Sequence, residues 1–233
     1  MPKGLVIIPT YNEKENIDSI VRAVLNQKLD LHILVVDDNS PDGTGQIVQN
    51  LMIDFPGQVH LLTRLKKEGL GRAYIAGFKW GLEKGYSHLI EMDADFSHRP
   101  IDLSKHVNEW GTYDFVIGSR YVPQGETVNW GLLRKFISRG GSLYSKIILG
   151  FPINDWTGGF NSWRRDVLEK INLDSVTSNG YSFQIELKYK ASRKGFKCKE
   201  VPIVFEDRRV GKSKMSMKIV LEAFYKVWQI RWS

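Results

Sequence analysis

The stretch Ser87-His-Leu-Ile-Glu-Met-Asp-Ala-Asp-Phe-Ser-His-Arg-Pro100 decides how the rest of the chain is read. Its apolar opening reads as a buried strand over Ser87–Met92. Two carboxylates, Asp93 and Asp95, stand two residues apart where that strand runs out. Near-extended backbone sends residues i and i+2 to one side, so both acids can face one pocket. Adjacent carboxylates call for a counter-charge. A hard divalent cation supplies it, bound by oxygen ligands and often shared with substrate phosphates. An Asp-x-Asp triplet alone is more often a pair of solvated loop acids. What singles this one out is its place at the C-terminal end of a strand in an α/β chain, where such folds bind ligands.

Outward from that strand, apolar runs and helical periodicities alternate. Strands are expected at Gly4–Ile8, His32–Val36, Val59–Thr63 and Phe115–Ser119. Asn12 can cap a first helix whose buried face is Ile17, Ile20, Val21, Val24 and Leu25. A second helix opens near Thr44 after the turn cluster Asp37-Asp-Asn-Ser-Pro-Asp-Gly43. A third opens at Gly69-Leu-Gly71, and a fourth covers Ile101–Trp110. This alternation predicts a mostly parallel sheet covered by helices on both faces. The second half is less regular. It holds a basic and apolar helix over Trp130–Leu149, a glycine turn Asp155-Trp-Thr-Gly-Gly-Phe160, and a basic loop Asp207-Arg-Arg-Val-Gly-Lys-Ser-Lys214. A terminal helix carries Met217, Val220, Leu221, Phe224, Val227 and Trp228 on one stripe. The division expected is a catalytic domain over residues 1–215 and an amphipathic helix over 216–233.

Bulk properties set the outer bounds. The 233 residues are 42% hydrophobic and 25% charged, ordinary globular material sufficient for one sizeable domain. The single cysteine, Cys198, rules out a disulfide framework within the chain and fits a reducing compartment. The opening lacks the long apolar core of a signal peptide, and no charge-free apolar stretch is long enough to span a bilayer. A net charge of +7 suggests a polyanionic partner: nucleic acid, an anionic membrane surface or a phosphorylated substrate.

The candidate ligand groups have ordinary readings beside the functional ones. Asp37 and Asp38 can serve turn chemistry, or Asp38 can accept hydroxyl or N–H donors from a nucleotide. Gly69-Leu-Gly71 can expose backbone N–H groups to an anion, or simply make a tight turn. Arg134, Ser138 and Arg139 recur at helical steps, and Arg120 ends the fifth strand. Such guanidiniums match phosphate oxygens in pairs, or form a solvated basic face. Arg208, Arg209, Lys212 and Lys214 make a second cationic cluster around Gly211, suited to a lid over a diphosphate. The terminal helix either packs on the domain or lies on an anionic membrane.

Taken together, Pro9-Thr-Tyr-Asn-Glu13, Val36-Asp-Asp-Asn-Ser-Pro-Asp-Gly-Thr44, Gly69-Leu-Gly71, Met92-Asp-Ala-Asp-Phe-Ser-His98, Gly118-Ser-Arg-Tyr121, Arg134 to Gly140, Thr157 to Phe160, Gly180-Tyr-Ser-Phe-Gln184 and Asp207 to Lys214 resemble the family-2, GT-A-type glycosyltransferases. Within them they resemble the dolichol-phosphate mannose synthases. The resemblance implies a GT-A fold and inverting transfer of mannose from GDP-mannose to dolichyl or polyprenyl phosphate. By family position, Pro9, Tyr11, Glu13, Val36, Asp38, Asp93, Ala94, Arg208 and Lys214 would contact the sugar nucleotide. Asp93 and Asp95 would hold Mg²⁺ or Mn²⁺. Arg120, Arg134 and Ser138 would receive the lipid phosphate, with Asp95, Arg120 and Arg134 central to catalysis. Some relatives carry glutamine where Ser97 stands, and many carry C-terminal transmembrane helices that this chain lacks. Peripheral attachment to the cytoplasmic face of a membrane is then expected, through an amphipathic surface, a separate anchoring subunit or sequence not present here. The rival readings are a UDP-glucose-dependent relative, a basic nucleic-acid-binding module and an inactive membrane scaffold. The acidic cluster at the cleft and the absence of a nucleic-acid motif weigh against nucleic acid as a partner.

Overall fold

The protein is described by a computed structural model covering residues 4–178, 180–207 and 217–232, with the side chains of Tyr181 and of residues 217–223 left out. Its centre is a seven-stranded sheet. The first strands are β1 (Gly4–Thr10), β2 (Leu31–Asp37), β3 (Val59–Thr63), β4 (His88–Glu91) and β5 (Phe115–Ser119). Then follow β6 (Glu126–Val128), β7 (Asn161–Arg164), β8 (Cys198–Pro202) and β9 (Val204–Glu206). The sheet runs β3-β2-β1-β4-β7-β5-β8, and β6 and β9 form a separate parallel pair. β1, β2, β3 and β4 are mutually parallel, as the alternating pattern predicts. β7 departs from it, running antiparallel between β4 and β5.

The helices are α1 (Ile17–Leu25), α2 (Thr44–Asp54), α3 (Leu70–Glu83), α4 (Leu103–Val107), α5 (Leu132–Leu149), α6 (Arg165–Lys170), α7 (Gly180–Arg193) and α8 (Met217–Trp232). Strand alternation sends Leu5, Ile7, Leu34 and Val36 to the face covered by α3, α6 and α7. Val6, Ile8, Ile33 and Val35 face α1 and α2. Both faces are buried, which is why these strands read as continuous apolar runs. α3 lies unusually close to the sheet: a Cβ on Gly77 would stand 2.5 Å from Ile7 Cγ2, and one on Gly81 2.5 Å from Leu89 Cδ2.

Two helix starts differ from the sequence reading. α1 begins after Asn16, because Asn12 sits at φ 61 and cannot be a helical N-cap. The helix expected over Ile101–Trp110 is a 3₁₀ turn at Pro100–Asp102 followed by the short α4. α5 keeps its expected end, but its faces are inverted. It buries Ser138, Ser142, Ser145 and Leu149 and exposes Leu132, Leu133, Phe136, Leu143 and Ile147. α8 packs on α5 and α7, with Val227 and Ile230 buried and Trp228 and Trp232 partly or wholly exposed.

Candidate active site

Parallel order brings the carboxyl ends of β1, β2 and β4 to one edge, with Thr10 paired to Asp37. The order 3-2-1-4 turns back on itself between β1 and β4, so a crevice opens outside these ends. Asp37 is taken up by the local fold: it accepts from Thr10 Oγ1 at 2.8 Å, from Ser40 N at 2.9 Å and from Ser40 Oγ at 2.6 Å. Asp38 lies at the crevice, ion-paired to Arg64 Nη1 at 2.7 Å. Burial pushes its carboxyl upward, and the Arg64 charge opposes that shift. Tyr11 is exposed beside it, with Lys67 Nζ 4.0 Å from its ring centroid. Glu13 Oε2 accepts from Asn16 Nδ2 at 2.9 Å, while its backbone N–H donates to Thr44 Oγ1. Pro9 lies in the same strand end, but the Val36 side chain is fully buried beneath α3, so only its backbone reaches the edge.

Past β4, each acid is held by its own support. Asp93 Oδ1 accepts from the Tyr74 hydroxyl at 3.3 Å. Tyr74 is wholly buried and stacks on Phe183 at 6.1 Å and 5°. Burial first, and then Asp93 and Glu91, hold the Tyr74 phenol far above its ordinary range, so it stays a neutral donor. The Asp93 N–H donates to His98 Nδ1 at 3.0 Å. That bond occupies Nδ1 as an acceptor and places the imidazole proton on Nε2. His98 stacks on Phe160 at 4.8 Å, and burial lowers its pKa. It is therefore a neutral support for the acid loop. Asp95 Oδ1 accepts from Ser97 N at 3.1 Å, and Ala94 is buried between the two acids. The Ser97 hydroxyl is buried and has no hydrogen-bond partner among the described residues.

The other wall carries the arginines. Arg120 is 6% exposed and grips Asp155 through Nε–H···Oδ2 and Nη2–H···Oδ1, both 2.7 Å. Nη2 also donates to Thr157 Oγ1 at 2.9 Å. Arg120, which the resemblance places at the lipid phosphate, is thus buried and braced by Asp155 and Thr157. Burial raises the Asp155 pKa, but Arg120 and Lys188 outweigh it and hold the carboxyl below its usual range. Arg134 lies 3.9 Å from the Trp130 ring and donates to Asp207 Oδ1 at 2.7 Å. Arg120 sits on the same indole at 5.5 Å. Ser138 Oγ accepts from the Tyr121 hydroxyl at 2.7 Å. Arg139 does not share this face and is exposed, because five residues from Arg134 is about 500° of helix rotation, or 140° away. Trp130 Nε1 and Arg134 Nε are buried donors without partners among the described residues. Arg208, Arg209, Lys212 and Lys214 lie outside the described residues.

Several residues of this region were not foreseen. Glu91 is fully buried two residues before Asp93 and accepts from Trp163 Nε1 at 2.7 Å, from Asn161 Nδ2 at 3.3 Å and from Gln184 Nε2. Burial pushes its carboxyl up to about 7, against three donors that favour the ionised form. Lys188, Asp155 and Tyr74 complete the set. Of these, only Asp155 lies in a motif visible beforehand, and nothing in the spacing links it to Arg120.

The fold and the strand-end acids define a GT-A glycosyltransferase, a nucleotide-sugar enzyme with a mostly parallel sheet. The model of the family described as "Glycosyl transferase family 2" matches residues 5–172, and the chain belongs to that family. It is 50% identical over 232 residues to the polyprenol monophosphomannose synthase of Mycolicibacterium smegmatis, covering 98% of this chain and 88% of the relative. It is 48% identical over 228 residues to the undecaprenyl-phosphate mannosyltransferase of Micrococcus luteus, covering 98% and 93%. The fold matches a mannosyltransferase from Pyrobaculum calidifontis solved with GDP-mannose and Mn²⁺, at TM-score 0.59 and 17% identity over 98% of this chain and 74% of that one.

Proposed function

We propose that this enzyme transfers mannose from GDP-mannose to a polyprenyl phosphate with inversion at the anomeric carbon, releasing GDP. The observation that carries the reading is half-identity over nearly the whole chain to a polyprenol monophosphomannose synthase. The bond that forms joins a phosphate oxygen to C1, the bond that breaks joins C1 to the diphosphate, and GDP leaves with that electron pair. The acceptor is a phosphate monoester with a second pKa of about 6, so it attacks largely as a dianion at neutral pH. No protein base is required, which accords with His98 being committed to the Asp93 backbone.

The donor set at Asp93 and Asp95 fits a hard divalent cation. It offers carboxylate oxygens, and two residues beyond Asp95 the buried Ser97 hydroxyl has no hydrogen-bond partner among the described residues. No group of three metal-binding His, Cys, Asp or Glu side chains occurs among the described residues. Mg²⁺-type sites often use one or two carboxylates and complete the shell with substrate phosphates and water. A bound cation would neutralise charge on the diphosphate. On the chain's own side, Tyr74 and His98 orient Asp93, and Ser97 N orients Asp95. Pro9, Tyr11, Glu13, Asp38 and the backbone of Val36 flank the nucleoside end, and Ala94 lies between the acids. Arg134 and Ser138 receive the acceptor phosphate, aided by the Trp130 and Arg134 N–H groups that have no partner among the described residues. Arg120 supplies positive potential from behind, offsetting the repulsion between dianion and diphosphate. Arg208 and Lys214 belong to this reading as further donor contacts.

The acceptor's lipid tail requires a membrane surface. No helix among the described residues is long and apolar enough to cross one. The outer face of α5 supports peripheral attachment: Phe136 is 79% exposed among Leu132, Leu133, Leu143 and Ile147, with Lys135 and Arg139 beside them. The cytoplasmic face is the side we assign. The test is recovery of label in the organic phase from a panel of labelled sugar nucleotides with polyprenyl phosphate and Mn²⁺. GDP-mannose should be the preferred donor; label from UDP-glucose alone would overturn the reading.

A further inference from the structure

Asp155, Trp156, Thr157 and Gly158 form a turn whose polar groups are bound from three sides. Glu200 accepts from Asn154 N at 2.9 Å, Asn154 Nδ2 at 2.8 Å and Asp155 N at 2.9 Å. The Gly158 N–H returns to Asp155 Oδ1 at 2.9 Å. Three of the turn's four carbonyls converge on one group. Lys188 Nζ donates to Asp155 O at 2.8 Å, Gly158 O at 2.8 Å and Trp156 O at 3.3 Å. An ammonium has three protons and no acceptor capacity, so this cradle uses it completely. Lys188 is 0% exposed, and a buried lysine is costly unless its charge and donors are matched.

We infer that Lys188 is a positioning residue for the acceptor half of the site: by clamping the 155–158 turn it sets where Asp155 and Thr157 hold the Arg120 guanidinium. The chain of contacts is short. Lys188 fixes the turn's carbonyls, the turn fixes Asp155 and Thr157, and these take three of the guanidinium's hydrogen bonds. Both cations of the wall then meet on the Trp130 ring. A packing role alone does not account for a lysine here. An apolar side chain in its place would leave Asp155 O and Trp156 O without this donor, while Gly158 O would keep only Asn161 Nδ2. The same network reaches the donor half through Asn161 Nδ2, which contacts Gly158 O at 3.2 Å and Glu91 at 3.3 Å. The hydrogen bonds of Lys188 nevertheless all go to the turn, while only its charge reaches Glu91, so its loss should fall mainly on the acceptor.

This inference rests on the polyprenyl-phosphate reading, and the experiment separates the two. Wild-type enzyme is assayed with GDP-mannose, Mn²⁺ and undecaprenyl phosphate in detergent; no transfer by the wild type removes that reading and this inference with it. Lys188→Met is then compared for acceptor KM, and for GDP affinity by calorimetry in the presence of Mn²⁺. The expected result is an acceptor KM raised about tenfold, with GDP affinity within about twofold of wild type, since the orientation of an acceptor-side cation changes while the donor edge does not. An unchanged acceptor KM, or equal losses on both sides, overturns the inference. Should Lys188→Met fail to fold, Thr157→Val decides. It leaves the lysine in place and deletes the hydroxyl that Arg120 meets, so it should raise acceptor KM about threefold with GDP affinity unchanged. No rise would overturn the role of the turn.

Discussion

Replacing Asp155 by alanine should be among the most destabilising single changes in this protein. The carboxylate accepts four hydrogen bonds: Arg120 N at 2.9 Å, Arg120 Nε and Nη2 at 2.7 Å each, and Gly158 N at 2.9 Å. The side chains of Asp155 and Arg120 are 0% and 4% exposed. Truncation leaves a guanidinium buried without its counter-ion, a change that typically costs about 3–5 kcal/mol. That is a large part of a total stability on the order of 5–15 kcal/mol. At about 2–4 °C per kcal/mol for a chain of this size, the melting temperature should fall by roughly 10 °C. Urea unfolding is the assay, with the midpoint moving down by about 1–2 M and the slope unchanged. Asp166→Ala is the control. Its carboxylate forms the same forked pair with Arg164, at 2.6 and 2.7 Å, but both side chains are 39% exposed. Its loss should cost no more than about 1 kcal/mol. If the two variants unfold at the same urea concentration, burial does not set the value of these pairs and the reasoning fails.

Three further outcomes are expected. His106 is wholly buried, and desolvation first of all drives its pKa down to about 3, so the folded protein keeps it neutral. Its stabilising contribution is complete above the unfolded value of about 6.5 and is lost as pH falls toward 3. Between pH 6.5 and 5 the loss is about 2 kcal/mol, read from urea midpoints; a His106→Gln variant with the same slope over that window would contradict the assignment. Gly77→Val forces a branched side chain against Ile7 and Val36 and should cost about 3 kcal/mol, measured by the same unfolding assay. Joint Leu133→Ser and Phe136→Ser substitution removes apolar area worth roughly 2 kcal/mol per side chain at a membrane, so flotation with anionic vesicles should fall at least tenfold. Transfer to a short detergent-soluble acceptor should persist, and undiminished flotation would exclude α5 as the docking face.

Much of the first half of the fold was legible because its physics is local. β1, β2, β4 and β5 are doubly buried or nearly so, and their apolar runs show it directly, while β3 at the sheet edge is only partly covered. Ile17, Ile20, Val21 and Val24 announced the inner face of α1 at helical spacing, although the left-handed Asn12 shifted where the helix begins. The second half hid its order for equally physical reasons. β7 is four residues, Asn-Ser-Trp-Arg, with no apolar run, since it is held by pairing on both sides. α7 is buried on all sides from Ser182 to Tyr189, with Gln184, Glu186 and Lys188 alternating with Phe183, Ile185 and Leu187, so no apolar stripe at helical spacing marks it. The inverted α5 could be recognised as a helix but not oriented, because nothing local says that serines face inward. Asp93 and Asp95 could be singled out in the sequence by their position just past β4. The 35-residue separation of Arg120 and Asp155 carries no periodic signal, and the turn that joins them became visible only in three dimensions.

The central claim is that the two acids following β4 hold the cation that a sugar nucleotide needs. Mn²⁺ paramagnetic resonance tests it most directly. In the presence of GDP, the six-line signal of free Mn²⁺ should be quenched by one equivalent of protein, and an Asp93→Asn, Asp95→Asn double variant with wild-type circular dichroism should leave it standing. Equal quenching by the double variant would contradict the account.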